Sequence, residues 1–467
     1  MEQWSSRFGF VLAAIGAAVG LGNVWRFPAV VGTNGGGAYL VPYLLAAFAF
    51  ALPLMVLEIS VGRSLRADII TACRQVRRRF EVVGWIVGAS VLLVLSYYLV
   101  ITGWVLAFFV FELIGRGIDF ASFTGTNQPI LFFLISAVIV GLIVSLGVQN
   151  GIERMAGILI PLTFLILLLL AVYSITLEGF VDGIRFFLTP DTSALGDPLI
   201  WGAAFGQVFF SFSVGMGVLL TYGSYLGDDA NVPRSAVVIA CADLTVAFLS
   251  GIVIFAIVFT VGLEPGAGTE LAFTTLPTGF EAMPFGSLLA VSFFGVLFVA
   301  AIAPSVSMLE VGVAGTMRAT NWSRRKASLV ITSLIVVAGL PSAASYSAVE
   351  LHILGAPFLD VLDASVGTYA LPLGALAIIF VFTWVQDQHV VEEQLGLRVL
   401  RPVVAYVVPA VLLIVLGLRI ATDLAISEWQ RVPNLDAPGE PGIVATLVLG
   451  VGIAAVIGIV LQRWRHA

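Results

Sequence analysis

Apolar residues in this chain come in long unbroken runs rather than in alternation, and about twelve of the runs could cross a hydrocarbon core of roughly 30 Å as helices. They fall at 9–34, 37–63, 83–115, 129–147, 154–176, 198–225, 234–262, 286–317, 327–347, 359–386, 403–423 and 442–462. Two runs are interrupted. In the first, Gly20-Leu21-Gly22-Asn23 stands mid-run and Arg26, Phe27 and Pro28 close it; in the sixth, the stretch from Phe210 to Gly217 mixes serines and glycines into the apolar pattern. Lipid cannot hydrogen-bond a freed peptide group, so unwound backbone at membrane depth has to be buried in protein or line a polar cavity. Freed carbonyls suit cations and freed amides suit anions. Paired glycine-interrupted spans in matching positions predict inverted halves, spans 1–5 and 6–10, meeting at a site for a small anionic or zwitterionic solute and a metal ion.

The predicted fold is therefore an all-α polytopic membrane protein with broken helices 1 and 6 and two extra C-terminal helices. It forms a single transmembrane domain over 1–467, with a first five-helix repeat at 1–176, an inverted second repeat at 198–388, and helices 11 and 12 within 403–467. Long connections at 177–197 and 263–285 are rich in Gly and Pro, and the second is expected to hold a short helix near the outer mouth.

Composition agrees: 60% hydrophobic residues, 11% charged residues and a mean hydropathy of +1.07 exclude a soluble globule. Only two cysteines are present, Cys73 in an expected cytoplasmic loop and Cys241 in a helix, which excludes a disulfide framework or a metal cluster. The opening Met1-Glu2-Gln3-Trp4 leads straight into a long span, so that span is expected to serve as its own uncleaved membrane signal. Basic residues sort by loop. With the N-terminus inside, Arg63, Arg66, Arg74, Arg77 to Arg79, Arg154, Arg234, Arg318 and Arg324 to Lys326 are cytoplasmic, against Arg116, Arg185 and Arg431 outside. Both termini are thus expected in the cytoplasm, with the protein in the plasma membrane. The net charge of −6 comes from acidic external loops and implies no nucleic-acid partner. His352, His389 and His466 are scattered, with no nucleophile–base spacing or zinc motif, which argues against an enzyme.

Several motifs together resemble the neurotransmitter:sodium symporters, in particular their prokaryotic amino-acid transporters. They are Trp4-Ser5-Ser6-Arg7, the run from Gly16 to Pro28, Asn34-Gly35-Gly36-Gly37, Pro53 to Arg63 with Glu58, Ser96-Tyr97-Tyr98 and the sixth span. The likeness extends over essentially the whole chain. It implies a substrate carboxylate at the first break, held by the amides of Leu21 and Gly22, a half-helix dipole and the hydroxyl of Tyr98. Monoamine carriers of the family have Asp where Gly20 stands, so a glycine implies substrates that bring their own carboxylate. The side-chain pocket would be walled by Ala17, Val94, Phe210, Ser213, Met216 and Met308, with Ser211 shared between substrate and cation. Its apolar character implies a hydrophobic amino acid, aliphatic or aromatic.

A first sodium site is implied at the carbonyl of Ala18, the side chain of Asn23, Ser211 and Asp243, hard oxygen ligands for a hard cation. Many relatives have Asn at the position of Asp243 and need chloride nearby; here a carboxylate could supply that charge, so chloride independence is expected. Tyr43 and Gln207 match the chloride neighbourhood, whereas Ala247 lacks the usual hydroxyl. A second sodium site would draw on carbonyls of Gly16, Val19 and Ala300, but its two hydroxyls fall on Ala303 and Pro304. That leaves open whether the site binds sodium, binds it weakly or has been lost, with a kink at Pro304 or rotation of Ser305 as possible repairs. Arg26 and Asp363, with Asp360 one turn away and Phe210 as lid, resemble an outer gate. Glu2 and Arg318 suggest a reversed inner pair, with Trp4 and Tyr225 as plugs. Glu58 would support the broken helices, and Glu310 either snorkels or plays a polar role.

The implied function is sodium-coupled symport of an amino acid by alternating access. The alternative is a non-transporting amino-acid sensor or a channel on the same scaffold. Partners implied are the amino acid, sodium and the lipid bilayer. The sequence does not name the amino acid, the number of sodium ions, proton counter-transport, the completeness of the N-terminus or the oligomeric state, a homodimer being open.

Overall fold

The computed structural model describes residues 2–190, 192–228, 230–265, 273, 276–281, 283–386 and 400–429. The expected twelfth span at 442–462 lies outside the described residues, as do His389, His466, Arg398 and Arg431. Among the described residues nine helices are long and apolar enough to cross a membrane, or ten if one bent pair is a single span.

That bent pair is the first span. Its inner half, Arg7–Ala18, starts at Ser6, whose side chain accepts from the Gly9 amide at 3.0 Å and so caps the helix. Helix ends at Val19, whose backbone is extended (φ −70°, ψ 112°). It resumes as a π-helical turn, Gly22–Arg26, and continues as Phe27–Thr33 with Pro28 in the first turn, where its missing amide costs nothing. The halves diverge by 51°. Asn23 stabilises the break by accepting the freed Gly20 amide on Oδ1 at 3.0 Å.

The sixth span is broken in the same way, into Pro198–Ser211 and Val218–Gly223. Between them Ser213, Gly215 and Gly217 all have positive φ. Gly215 has no alternative, because a Cβ there would lie 2.6 Å from the Cβ of Ala375. Ser213 spends about 1 kcal/mol on a left-handed conformation, offset by its hydroxyl donating to the Ala17 carbonyl at 2.7 Å. Glu58, on the second span Gly37–Leu65, accepts the Gly215 amide at 2.6 Å. Peptide groups freed in one broken helix are therefore satisfied by the other or by the second span, as an apolar surrounding requires.

The third span, Arg78–Leu113, runs almost wholly buried and packs against the eighth, Gly286–Thr320, at the centre of the bundle. The eighth passes through Pro304 without interruption. By contrast the fourth and fifth, Gln128–Ser145 and Val148–Ser174, expose Leu131, Leu142, Leu165 and Leu169, an apolar face suited to lipid. The connection after the seventh span, Val232–Thr260, carries the anticipated short helix, Leu276–Glu281. Cys73 is a correction: it lies buried in a short helix, Ile69–Val76, where a loop was expected. The reason is a cap, since the Asp68 carboxylate accepts the Ile70 and Thr71 amides at 3.0 and 3.1 Å.

Candidate transport site

Three spans converge on the first break. Asn23 donates through Nδ2 to the Asp243 carboxylate at 2.7 Å and to its carbonyl at 3.2 Å. Ser211, the last helical residue before the sixth-span break, donates to both Asp243 carboxylate oxygens, at 3.1 and 3.0 Å. All three side chains are buried. Ala18 and Ser211 line a common small cavity, so the four residues expected around the first cation come together. Among the described residues no group of three or more His, Cys, Asp or Glu is gathered as a metal site. The cluster is thus one of neutral oxygens around a single carboxylate, a donor set for a small hard cation.

At the same break the Leu21 amide donates to the Tyr98 hydroxyl at 3.2 Å, leaving the hydroxyl proton for an anion at the same spot. Side chains at the break are excluded by close approach. A Cβ at Gly20 would lie 2.9 Å from Pro304 Cγ and 3.0 Å from the Tyr98 oxygen, and one at Gly22 would lie 3.2 Å from the Phe210 ring. Gln207 ties the sixth span to the break by donating to the Gly22 carbonyl at 2.7 Å. Among the described residues its Oε1 is buried with no hydrogen-bond partner.

Ala17, Val94, Phe210, Ser213, Met216 and Met308 all border the small cavity, together with Pro304, which the sequence reading had not placed there. At about 20 Å³ the cavity has room for a water or two. Phe210, with Gly22 and Tyr98, also borders a much larger cavity of about 330 Å³, so these three residues stand between the two. The larger space reaches Trp104, Phe120 and Tyr346, at span ends expected outside the cell, and Arg26, Asp360 and Asp363 face it. Arg26 stacks its guanidinium over the Phe210 ring, 4.8 Å from the centroid. Among the described residues no ion pair joins it to Asp363. Asp360 instead accepts from the Tyr346 hydroxyl at 2.9 Å.

The inner end is closed. Trp4 donates its indole proton to the Tyr222 carbonyl at 3.0 Å and its amide to the Tyr225 carbonyl at 3.2 Å, with its ring edge-on to both tyrosines and to Phe10. Tyr225 donates to Glu310 at 2.6 Å, and Glu310, fully buried, takes a bidentate pair from Arg324 at 2.6 and 2.9 Å. Arg324 also pairs with Glu2, its Nε donating at 2.9 Å. One expectation is corrected here: Glu2 pairs with Arg324 rather than Arg318. Of the two readings left open for Glu310, the polar one holds. The buried carboxylate of Asp68 claims Arg318 instead, at 3.4 Å, because an unpaired interior charge is far more costly than a rim one. Arg324 and Glu153, which holds the Ser5 amide at 2.9 Å, were missed. Arg324 belongs to a basic run that served only to orient the loop.

Two broken helices, stitched to each other around one carboxylate, are the plan of an ion-coupled carrier. The model of the Sodium:neurotransmitter symporter family matches residues 1–116 and 116–431. The chain belongs to that family. This symporter is accordingly a sodium-dependent, multi-pass membrane transporter and not an enzyme. It is 38% identical over 389 residues to a sodium-dependent transporter of Bacillus subtilis, YhdH, covering 80% of this chain and 86% of that one. To the sodium- and chloride-dependent GABA transporter 2 of Rattus norvegicus the symporter is 29% identical, over 63% of its own length and 58% of the relative's. The crystal structure of MhsT in complex with L-phenylalanine superposes with a TM-score of 0.82 at 36% identity, covering 89% of this chain and 99% of that one.

Proposed function

We propose that this symporter carries a hydrophobic amino acid, aliphatic or aromatic, together with sodium, by alternating access. The observation that carries the reading is a polarised site. Leu21 N–H and the Tyr98 hydroxyl stand at one end, the Asn23–Ser211–Asp243 cluster beside them, and Val94, Met216 and Met308 at the other. A zwitterion would place its carboxylate on Leu21 and Tyr98 and its side chain among the thioethers, which adapt to irregular shapes. The cation would sit between that carboxylate, Ala18, Asn23, Ser211 and Asp243. Phe210 has to swing away to admit the substrate, after which Arg26 and Asp363 can draw together above it.

Charge counting favours transport without chloride. A zwitterion is neutral overall, and one sodium offsets the Asp243 carboxylate, so the loaded site has no net charge to desolvate. Ala247 offers no hydroxyl to an anion, and Ser211 is already engaged with Asp243. The substrate class is supported by the apolar wall and by MhsT, whose solved complex holds L-phenylalanine.

Uptake of labelled amino acids into proteoliposomes, with an inward sodium gradient or none, tests the proposal. L-Phenylalanine and L-leucine are expected to accumulate only with sodium, to be competed by each other and not by GABA or taurine, and to tolerate gluconate in place of chloride. Sodium-dependent uptake of GABA or taurine instead would overturn the substrate assignment, and collapse of uptake in gluconate would overturn chloride independence. Binding without counterflow would indicate a sensor.

A further inference from the structure

The first break has two flanks of opposite character. Toward the seventh span it meets the side-chain oxygens of Asn23, Ser211 and Asp243, joined by contacts of 2.7 to 3.1 Å. Toward the eighth span it meets hydrocarbon and one backbone carbonyl oxygen, that of Ala300, 3.7 Å from where a Gly20 Cβ would lie. A Cβ on Gly16 would lie 3.1 Å from the Ala303 methyl and one on Gly20 only 2.9 Å from Pro304 Cγ, and Ala300, Ala303 and Pro304 are all buried. Helix one and helix eight therefore pack against each other at the break through a methyl group and a pyrrolidine ring.

We infer that this second flank holds no sodium, and that the symporter couples each substrate to the single cation at Asp243. The inference rests on the symport reading above and narrows its ion count. The hydroxyls that follow Pro304 fold back along their own helix: Ser305 donates to the Ala301 carbonyl at 2.9 Å and Ser307 to the Pro304 carbonyl at 2.8 Å. No side chain of Ala300, Ala303 or Pro304 carries an oxygen. Proline does contribute one favourable feature, since its missing amide releases the carbonyl four residues earlier, at Ala300. Even so, the flank can present only the backbone carbonyls of Gly16, Val19 and Ala300. Hard cations take about six oxygens in protein sites, commonly including a carboxylate. Three neutral carbonyls pressed against apolar carbon do not repay the cost of stripping a cation of water. The ring of Pro304 instead spans the gap between the two helices by direct contact.

One sodium also agrees with the charge count. With Asp243 ionised and a zwitterion bound, a first cation neutralises the site, whereas a second would leave a buried positive charge unpaired. The thermodynamic consequence is a shallower pump. A tenfold sodium gradient at zero voltage supports about tenfold accumulation with one coupled ion and about a hundredfold with two.

Equilibrium binding of radioactive sodium to the purified, full-length protein counts the sites directly. One saturable ion per chain is expected, and Asp243→Ala is expected to remove all of it. In proteoliposomes with voltage clamped at zero, uptake should depend on sodium with a Hill coefficient of about one. Ser305→Ala should leave the sodium requirement unchanged. The double variant Ala303→Thr with Pro304→Ser, which returns two hydroxyls to the flank, is expected to raise the ion count to two. Two ions bound by the native chain, or residual sodium in Asp243→Ala, overturns the inference while leaving sodium symport intact. No sodium bound at all overturns the symport reading itself.

Discussion

At the end covered by the N-terminal segment the transport path is closed by a buried ionic network, Glu2 with Arg324 with Glu310 with Tyr225, laid beneath the Trp4 indole. At its outer end the path opens into an aromatic vestibule of about 330 Å³, where Arg26 rests on the Phe210 ring and makes no ion pair with Asp363. The contrast separates two kinds of gate. Inside, Glu310 is fully buried and the Arg324 side chain is 10% exposed, so opening that end strands a carboxylate in a dry interior. Outside, the charges remain near solvent and can separate at little cost. On the symport reading proposed above, a carrier built this way would rest open at the vestibule and would spend substrate and ion binding energy on releasing the buried network.

That asymmetry can be attacked at either end. Replacing Arg324 with Ala should cut deepest, since breaking a buried pair on one side costs roughly 3–5 kcal/mol. Its thermal midpoint should drop, and a Ser307→Cys reporter in a background lacking Cys73 and Cys241 should react on the order of a hundredfold faster with a cytoplasmic thiol reagent. An unchanged labelling rate would show that Arg324 does not lock the gate. Changing both partners, Arg324→Met with Glu310→Met, should recover the thermal midpoint but leave the reporter accessible, because packing is restored and the tie to Glu2 is not.

Trp4→Ala should come next. It removes one hydrogen bond and three edge-on ring contacts, together about 2 kcal/mol, and is expected to speed reporter labelling roughly thirtyfold while the protein stays folded. Arg26→Gln at the outer gate loses a cation–π contact of about 0.5–1 kcal/mol. Uptake should fall with the thermal midpoint and the inner reporter little altered. If the midpoint dropped as far as in Arg324→Ala, the two ends would not differ as described.

Asp119, at the outer rim, offers the mildest case. It caps the short helix Phe120–Thr124 by accepting the Ser122 amide at 2.9 Å, and Ser122 holds its carboxyl below the ordinary range. A depressed carboxyl adds stability above its unfolded pKa and loses it as pH falls through the folded one. Because Asp119 is fully exposed, acidification through that window, or Asp119→Ala, should leave uptake at neutral pH within about twofold.

Much of this was legible beforehand, for physical reasons tied to particular residues. The breaks at Gly20 to Asn23 and at Ser213 to Gly217 announce themselves because small and polar residues in the middle of an apolar run have few other uses in lipid. The pocket wall from Val94 to Met308 followed from motif and span. Side-chain partners did not follow. Glu2 could have met any of several arginines, and only the packing of the eighth and ninth spans under the N-terminal segment brings Arg324 to it while Asp68 takes Arg318.

By itself, then, the chain's order of residues determined the all-helical membrane plan and the positions of the two breaks, while the residues of other spans that meet there were implied by the family resemblance. Those features follow from local rules: helix length against bilayer thickness, and the need of every freed peptide group for a partner. Tertiary structure alone decided that a proline ring stands on the eighth-span flank, that Gly22, Tyr98 and Phe210 border two cavities at once, and which arginine neutralises Glu310. Those depend on distances between segments far apart in the chain, which no local pattern encodes.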